Sequence, residues 1–237
     1  MQKIIKLVLF VVCLVSGLAS CDKMNDRLDV YLASGERIYI GKIDSMNTFV
    51  GDNRVKLRFW ATDPRAKRVG FYWYPNNDSM FVDITPTFAN NYFEIYIGGV
   101  SGSKAITEGN YTMRVITSDK ANHYSIPFEK VVNIYGDKYR STLTNRVLKT
   151  VAYTVATSSL SLTFSGPTSD KEIGIGIQYF DKSGVAKSLV LPLTRITTPL
   201  VIPNVEKTKT VTYRTMFLPE PLAIDTFYTI SKNIVIP

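Results

Sequence analysis

From Tyr39 onward, apolar and polar residues alternate in short runs separated by turn-forming residues. Val55, Leu57 and Phe59 fall on one side of an extended chain and Lys56 and Arg58 on the other, which is the period-2 pattern of a half-buried strand. Thr62-Asp63-Pro64 turns the chain, and Val69, Phe71 and Trp73 then repeat the alternation. Phe81 to Ile84, Tyr92 to Ile97 and Ile126 to Tyr135 read as further strands, with Gly98-Gly99 and Gly102 marking a loop. No stretch sustains a 3.6-residue period, so the pattern predicts an all-β chain.

Gly109-Asn110-Tyr111, followed by Met113 and Val115, resembles a late strand of a fibronectin type III or immunoglobulin-like sandwich. In such folds a tyrosine near the strand start turns its hydroxyl back onto the backbone, forming a tyrosine corner. After Gly136-Asp137 the scheme repeats. Leu160, Leu162 and Phe164 correspond to Val55, Leu57 and Phe59, and Ile173, Ile175, Ile177 and Tyr179 to Val69, Phe71 and Trp73. Val185 to Leu191, Leu200 to Ile202, Val211 to Phe217 and Phe227 to Ile236 supply the remaining strands, with Pro219 and Pro221 marking a bend or an edge. The expected fold is two tandem immunoglobulin/fibronectin type III-like β-sandwiches, one over 38–136 and the other over 137–237.

The first 20 residues have a different pattern. Lys3 and Lys6 precede an apolar run from Leu7 to Val15, too short to span a bilayer, which takes about 20 apolar residues. Leu18-Ala19-Ser20-Cys21 then matches a bacterial lipobox, in which small residues precede a thiol that is acylated before cleavage. The expectation is a lipoprotein signal peptide over 1–20, lipid attachment at Cys21 and a polar tether over 21–37. Several acyl chains hold stably at about 0.8 kcal/mol per buried methylene, where a single one is marginal. Cys13 leaves with the signal and Cys21 is acylated, so the mature chain has no disulfide and must stand on its apolar cores.

Charge narrows the partners. The formal net charge is +8. The excess lies in residues 137–237, which carry twelve basic and seven acidic side chains without a cluster. No nucleic-acid-binding motif accompanies it, so nucleic acid is not an expected partner. A solvated surface and an affinity for acidic polysaccharide or lipopolysaccharide both fit this dispersed charge.

Four stretches carry a family resemblance: Gly41-Lys42-Ile43-Asp44-Ser45 with Gly51-Asp52-Asn53-Arg54-Val55-Lys56-Leu57; Tyr72-Trp73 with Asp78-Ser79; Tyr135-Gly136-Asp137-Lys138-Tyr139 with Leu143-Thr144-Asn145-Arg146; and Tyr213-Arg214-Thr215 with Leu218-Pro219-Glu220-Pro221 and Ile224-Asp225-Thr226-Phe227-Tyr228-Thr229. Together they resemble a family of Bacteroidota outer-membrane lipoproteins of unknown function, found alongside SusD-like proteins of polysaccharide-utilisation systems. The resemblance implies an outer-membrane, cell-surface location, a possible role in capturing glycan, and a SusC/SusD-like complex as a possible partner. It supplies no catalytic residue.

The residues themselves point away from catalysis. His123 is the only histidine, which excludes a multi-histidine metal site, and it sits in a hairpin-like Lys120-Ala121-Asn122-His123 turn. Ile173-Gly174-Ile175-Gly176-Ile177 reads as a strand rather than a phosphate loop. Asp225 and Arg214 are the polar positions to examine, with a structural pair or a capped turn between the sandwiches as the simplest role. No catalytic residue, metal site or cofactor is expected. Sugars bind by stacking on aromatic rings flanked by polar groups, and Trp60, Tyr72 and Tyr74 all point away from the core alternation, so they are the candidate ligand platform. Cross-strand pairing that merely stabilises the sheet is the competing role. The expected function is a non-enzymatic glycan-binding or uptake-accessory lipoprotein; the alternative is a structural or adhesive one that docks a protein partner.

Overall fold

Alternation along each strand leaves one apolar face, and the structure buries those faces by stacking sheets in pairs. The structure is a computed structural model that describes residues 35, 37–86, 92–99, 101 and 103–237. The chain divides into two compact units, Met1–Tyr39 and Ile40–Pro237. Of the first, only Gly35 and residues 37–39 are described, so the signal segment and Cys21 lie outside the described residues.

The second unit begins with β1 (Ser45–Gly51), β2 (Arg54–Trp60), β3 (Arg68–Tyr74), β4 (Asp78–Asp83), β5 (Phe93–Ile97), β6 (Gly109–Ser118) and β7 (Phe128–Ile134). They form a three-stranded sheet in the order β1-β2-β5 and a four-stranded sheet in the order β4-β3-β6-β7, with every pairing antiparallel. Val55, Leu57 and Phe59 from one sheet meet Val69, Phe71 and Trp73 from the other, all fully buried. The Tyr111 hydroxyl donates to the Thr107 carbonyl at 3.1 Å, so the tyrosine corner forms where the Gly-Asn-Tyr signal puts it.

A six-residue helix, α1 (Asp137–Thr142), follows. Then come β8 (Leu148–Thr154), β9 (Ser159–Phe164), β10 (Glu172–Phe180), β11 (Ala186–Pro192), β12 (Leu200–Ile202), β13 (Val211–Phe217), β14 (Phe227–Tyr228) and β15 (Lys232–Ile234). One sheet runs β12-β9-β8; the other runs β11-β10-β13, with β14 and β15 both pairing to β13. Adding seven to each strand number of the first sandwich, from β1 to β7, gives the order of the second. Each sandwich has its own apolar core. The fold is nearly all-β, built from two sandwiches that each pack a three-stranded sheet on a larger antiparallel one, the immunoglobulin-like arrangement, with a tyrosine corner in the first.

Several local details depart from the sequence pattern. Strands β1 and β8, which open each sandwich, are not marked by clean alternation: partly exposed residues interrupt the buried positions of β1, and β8 buries no residue completely. Helix α1, for which the sequence gives no periodic signal, starts at Asp137, where the scheme begins to repeat. The run Phe227 to Ile236 is two short strands rather than one. A bulge between Glu172 and Gly174 shifts the register of β10, so Ile175 and Ile177 are fully buried while Ile173 is only half-buried. The bulge turns Glu172 inward to face Arg146, a pair with almost no solvent exposure.

Three of the four family-resemblance stretches converge where the sandwiches meet. Asp225, in the loop before β14, accepts bonds from Arg54 Nε (2.8 Å) and the Asp52 backbone N–H (2.9 Å), and Arg54 Nη2 adds a second guanidinium contact. The neighbouring Ile224 N–H donates to the Val50 carbonyl at 2.8 Å. Gly51 is required because a Cβ there would overlap Asp225 Oδ2. Asn53 donates its N–H to the Tyr135 carbonyl, and Arg140 of α1 bridges Asp52 and Asp137. Above these contacts, the rings of Tyr135, Tyr139 and Phe227 pack edge to face. Burial, with the Glu220 carboxylate next in weight, pushes the Tyr135 hydroxyl up to about 12.

Candidate functional site

A broad concavity lies on the outer face of the β4-β3-β6-β7 sheet. It is a groove of 910 Å³ running from the β3–β4 pair to the β6–β7 hairpin. Its floor follows from register. Outward residues of β3 are Arg68, Gly70, Tyr72 and Tyr74, and Gly70 lies opposite Phe81. With no side chain at Gly70, the Tyr72 and Phe81 rings close over it, each about 3.0 Å from where a Cβ would stand. The two rings meet edge to face, with centroids 5.7 Å apart. Phe81 keeps 55% of its surface exposed and Tyr124, on the hairpin, 54%.

Polar groups flank these rings. Arg68 and Asp83 lie opposite each other in register and form two hydrogen bonds, at 2.7 and 3.4 Å. The Arg68 bond holds the Asp83 carboxyl below the usual carboxylate range. At the far end, Asp119 accepts from the backbone of Ala121 and His123 and from the His123 ring, whose Nδ1 lies 2.8 Å away. The backbone bond from His123 is the largest cause of the lowered Asp119 pKa. His123 is thus a turn residue that fixes the hairpin presenting Tyr124, Lys120 and Asn122 to the groove.

The three platform residues do not share a face. Trp60 ends β2 in the three-stranded sheet, whereas Tyr72 and Tyr74 lie on β3 in the four-stranded sheet. Alternation tells inside from outside but not which outer surface a strand contributes to. Trp60 packs edge to face with Tyr92 at 6.0 Å, beside an Arg58 guanidinium that stacks on Tyr92 and pairs with Glu94. That is the cross-strand role that competes with ligand binding. Tyr72 lines the groove; Tyr74 is 39% exposed on the same face but does not line it. Asp225 pairs with Arg54 rather than Arg214, and Arg214 instead lies over the Tyr228 ring at 3.8 Å.

Phe81 and Tyr124 are the groove residues that sequence reasoning misses. An outward glycine mid-strand at Gly70 is a usable signal for Phe81, since a neighbouring ring commonly covers such a gap. Nothing in the sequence distinguishes Tyr124 from any other hairpin aromatic. The described residues contain no group of three or more His, Cys, Asp or Glu placed to hold a metal ion.

A domain of unknown function, DUF4998, matches residues 21–227. The chain belongs to that family. No curated protein matches it in sequence. Among solved structures it is similar to a two-domain fibronectin type III segment of chicken tenascin, at 12% identity and a TM-score of 0.33, covering 82% of this chain and 99% of that one. It is also similar to the FN1–FN3 domains of chicken CNTN1, at 10% identity and a TM-score of 0.40, covering 84% and 68%. A bacterial ice-binding adhesin aligns at 9% identity and a TM-score of 0.37, over 85% of this chain and 66% of the other.

Proposed function

We propose that this DUF4998 protein is a non-enzymatic, lipid-anchored lipoprotein of the outer-membrane surface that captures glycan in the groove of its first sandwich, as an accessory to a SusC/SusD-like uptake complex. The observation that carries the glycan reading is the pair of Tyr72 and Phe81 rings set over Gly70, more exposed than a core requires and bordered by Arg68, Asp83 and Asn122. Ring faces stack on the C–H faces of sugars, and flanking polar groups select their orientation. The lipobox supports the anchor, and the family match starts at Cys21, the first residue that cleavage there would leave.

A glycan array with the full chain in detergent tests this reading. Retention of a polysaccharide is expected, and a Tyr72→Ala/Phe81→Ala double variant is expected to weaken it at least tenfold while Trp60→Ala leaves it unchanged. Wild-type protein that retains no glycan, or a double variant that retains it equally, would sink the proposal.

The bonded joint favours a second reading, a spacer that holds a protein-docking surface away from the membrane. That reading is supported if membrane pull-down returns one stable protein partner whose binding ignores Tyr72 and Phe81.

A further inference from the structure

Two of the outward positions of β10 carry no side chain. Gly174 and Gly176 alternate with Ile175 and Ile177, and both glycines are themselves buried, Gly176 beside the Arg214 side chain. Gly174 has a packing reason, because a Cβ there would run into the Leu191 carbonyl. Gly176 has no such clash. The nearest atoms to a Cβ at Gly176 are Arg214 Cγ and Nε, both at 3.8 Å, which is ordinary contact. A mid-strand glycine forgoes side-chain packing and loses more chain entropy on folding, and it often marks the close approach of another group, here the Arg214 side chain.

Arg214 lies directly across from Gly176 in the β10–β13 register. Its guanidinium lies over Tyr228, 3.8 Å from the ring centroid. Stacking occupies the face of a guanidinium and leaves the N–H donors along its edge open to a planar, bidentate acceptor. Among the described residues no carboxylate pairs with Arg214, whereas Arg54, Arg58, Arg68, Arg140 and Arg146 each face one. Past Gly176 the same face runs into a trough of 380 Å³ lined by Gln178, Phe180, Ser188 and Thr212. From Gly176 to Phe180 is about 13 Å along the strand. Hydroxyl and amide groups along the trough match sugar hydroxyls, and a cation without an acidic partner stands at its end.

We propose that this face of the second sandwich binds a carboxylate-bearing polysaccharide. Arg214, held flat by Tyr228, takes the carboxylate edge-on. Gly176 leaves room for the Arg214 side chain to lie along the sheet, and Gln178 and Thr212 meet the sugar hydroxyls. The choice of a polysaccharide as carrier rests on the glycan reading above; the anion subsite is a separate surface on the other sandwich.

Affinity electrophoresis of the full chain in detergent tests it, with polygalacturonate, its methyl-esterified form and poly-L-glutamate as probes. Polygalacturonate is expected to bind more tightly than either alternative. Arg214→Gln and Gly176→Val should each weaken it at least tenfold, and Tyr72→Ala/Phe81→Ala should not. Gly176→Val is the discriminating variant, since valine suits a strand and should leave the melting temperature level or higher while displacing the Arg214 side chain. The proposal is overturned if wild-type protein ignores polygalacturonate, if esterification makes no difference, or if folded Arg214→Gln and Gly176→Val bind normally. Preference for poly-L-glutamate would overturn it in favour of an acidic protein partner. A failure confined to these two variants leaves the first-sandwich groove standing.

Discussion

Asp225 shows how much one side chain can hold. Its carboxylate takes Arg54 Nε, Arg54 Nη2 and the Asp52 N–H, with both side chains less than a third exposed. Hydrogen bonds to a charged group contribute roughly 1.5–3 kcal/mol, and loss of the carboxylate would also leave Arg54 without a partner. Asp225→Ala is therefore expected to lower unfolding stability by about 2–3 kcal/mol in urea titration. The Arg54 bond, with the Asp52 N–H in support, holds the Asp225 carboxyl below its ordinary range. A depressed carboxylate stabilises fully above its unfolded pKa of about 3.9, and that stability is lost as pH falls through the lower folded value. Wild-type protein should lose this increment in acid, whereas Asp225→Asn, which has no carboxylate to titrate, should show a flatter acid limb in the same assay.

Helix α1 is too short to stand by itself. Six residues form barely more than one turn, and isolated helices of such length are unstable in water. Its N-cap is Gly136, which offers no side-chain acceptor. Glu108, from the segment before β6, instead accepts from the Lys138 and Tyr139 N–H groups at 2.6 and 2.7 Å. A carboxylate there also complements the positive end of the helix. Glu108→Ala is expected to cost about 1–2 kcal/mol, the scale of a lost N-cap. Limited proteolysis should then cut within 137–142 faster than in wild-type protein. Equal cleavage rates would show that the aromatic packing of Tyr139 suffices. The same logic explains why α1 leaves no trace in hydrophobic periodicity: it buries no residue completely and is held by an acid about 30 positions upstream.

At the scale of the molecule, the joint makes two sandwiches behave as one body. Gly51 admits Asp225 and Ile224 against β1, and a larger side chain there would push both away. Gly51→Val is expected to split a single calorimetric unfolding transition into two, one per core, since each sandwich keeps its own buried cluster. A single transition in the variant would mean that the Tyr135, Tyr139 and Phe227 rings couple the cores unaided. The two proposed ligand surfaces lie on corresponding outer faces, one on β3 and β4 and the other on β10 and β11. The repeat therefore supplies two similar scaffolds with different chemistry: rings over Gly70 in the first, and an arginine beside Gly176 in the second.

The sequence by itself determined the strands with strict alternation, the residues they bury and the tyrosine corner, because each of these depends on spacing within a few residues. Leu57, Phe71 and Trp73 are core residues in any fold that pairs those strands. Tertiary structure alone decided what lies outside. Trp60 and Tyr72 share an outward phase, yet they end on different sheets, since a period of two carries no information about which neighbour a strand selects. Arg54 and Asp225 lie 171 residues apart, and their pairing exists only once both sandwiches have formed. The half-exposed strands β1 and β8 belong with them, because partners across the sheet rather than local pattern hold them in place.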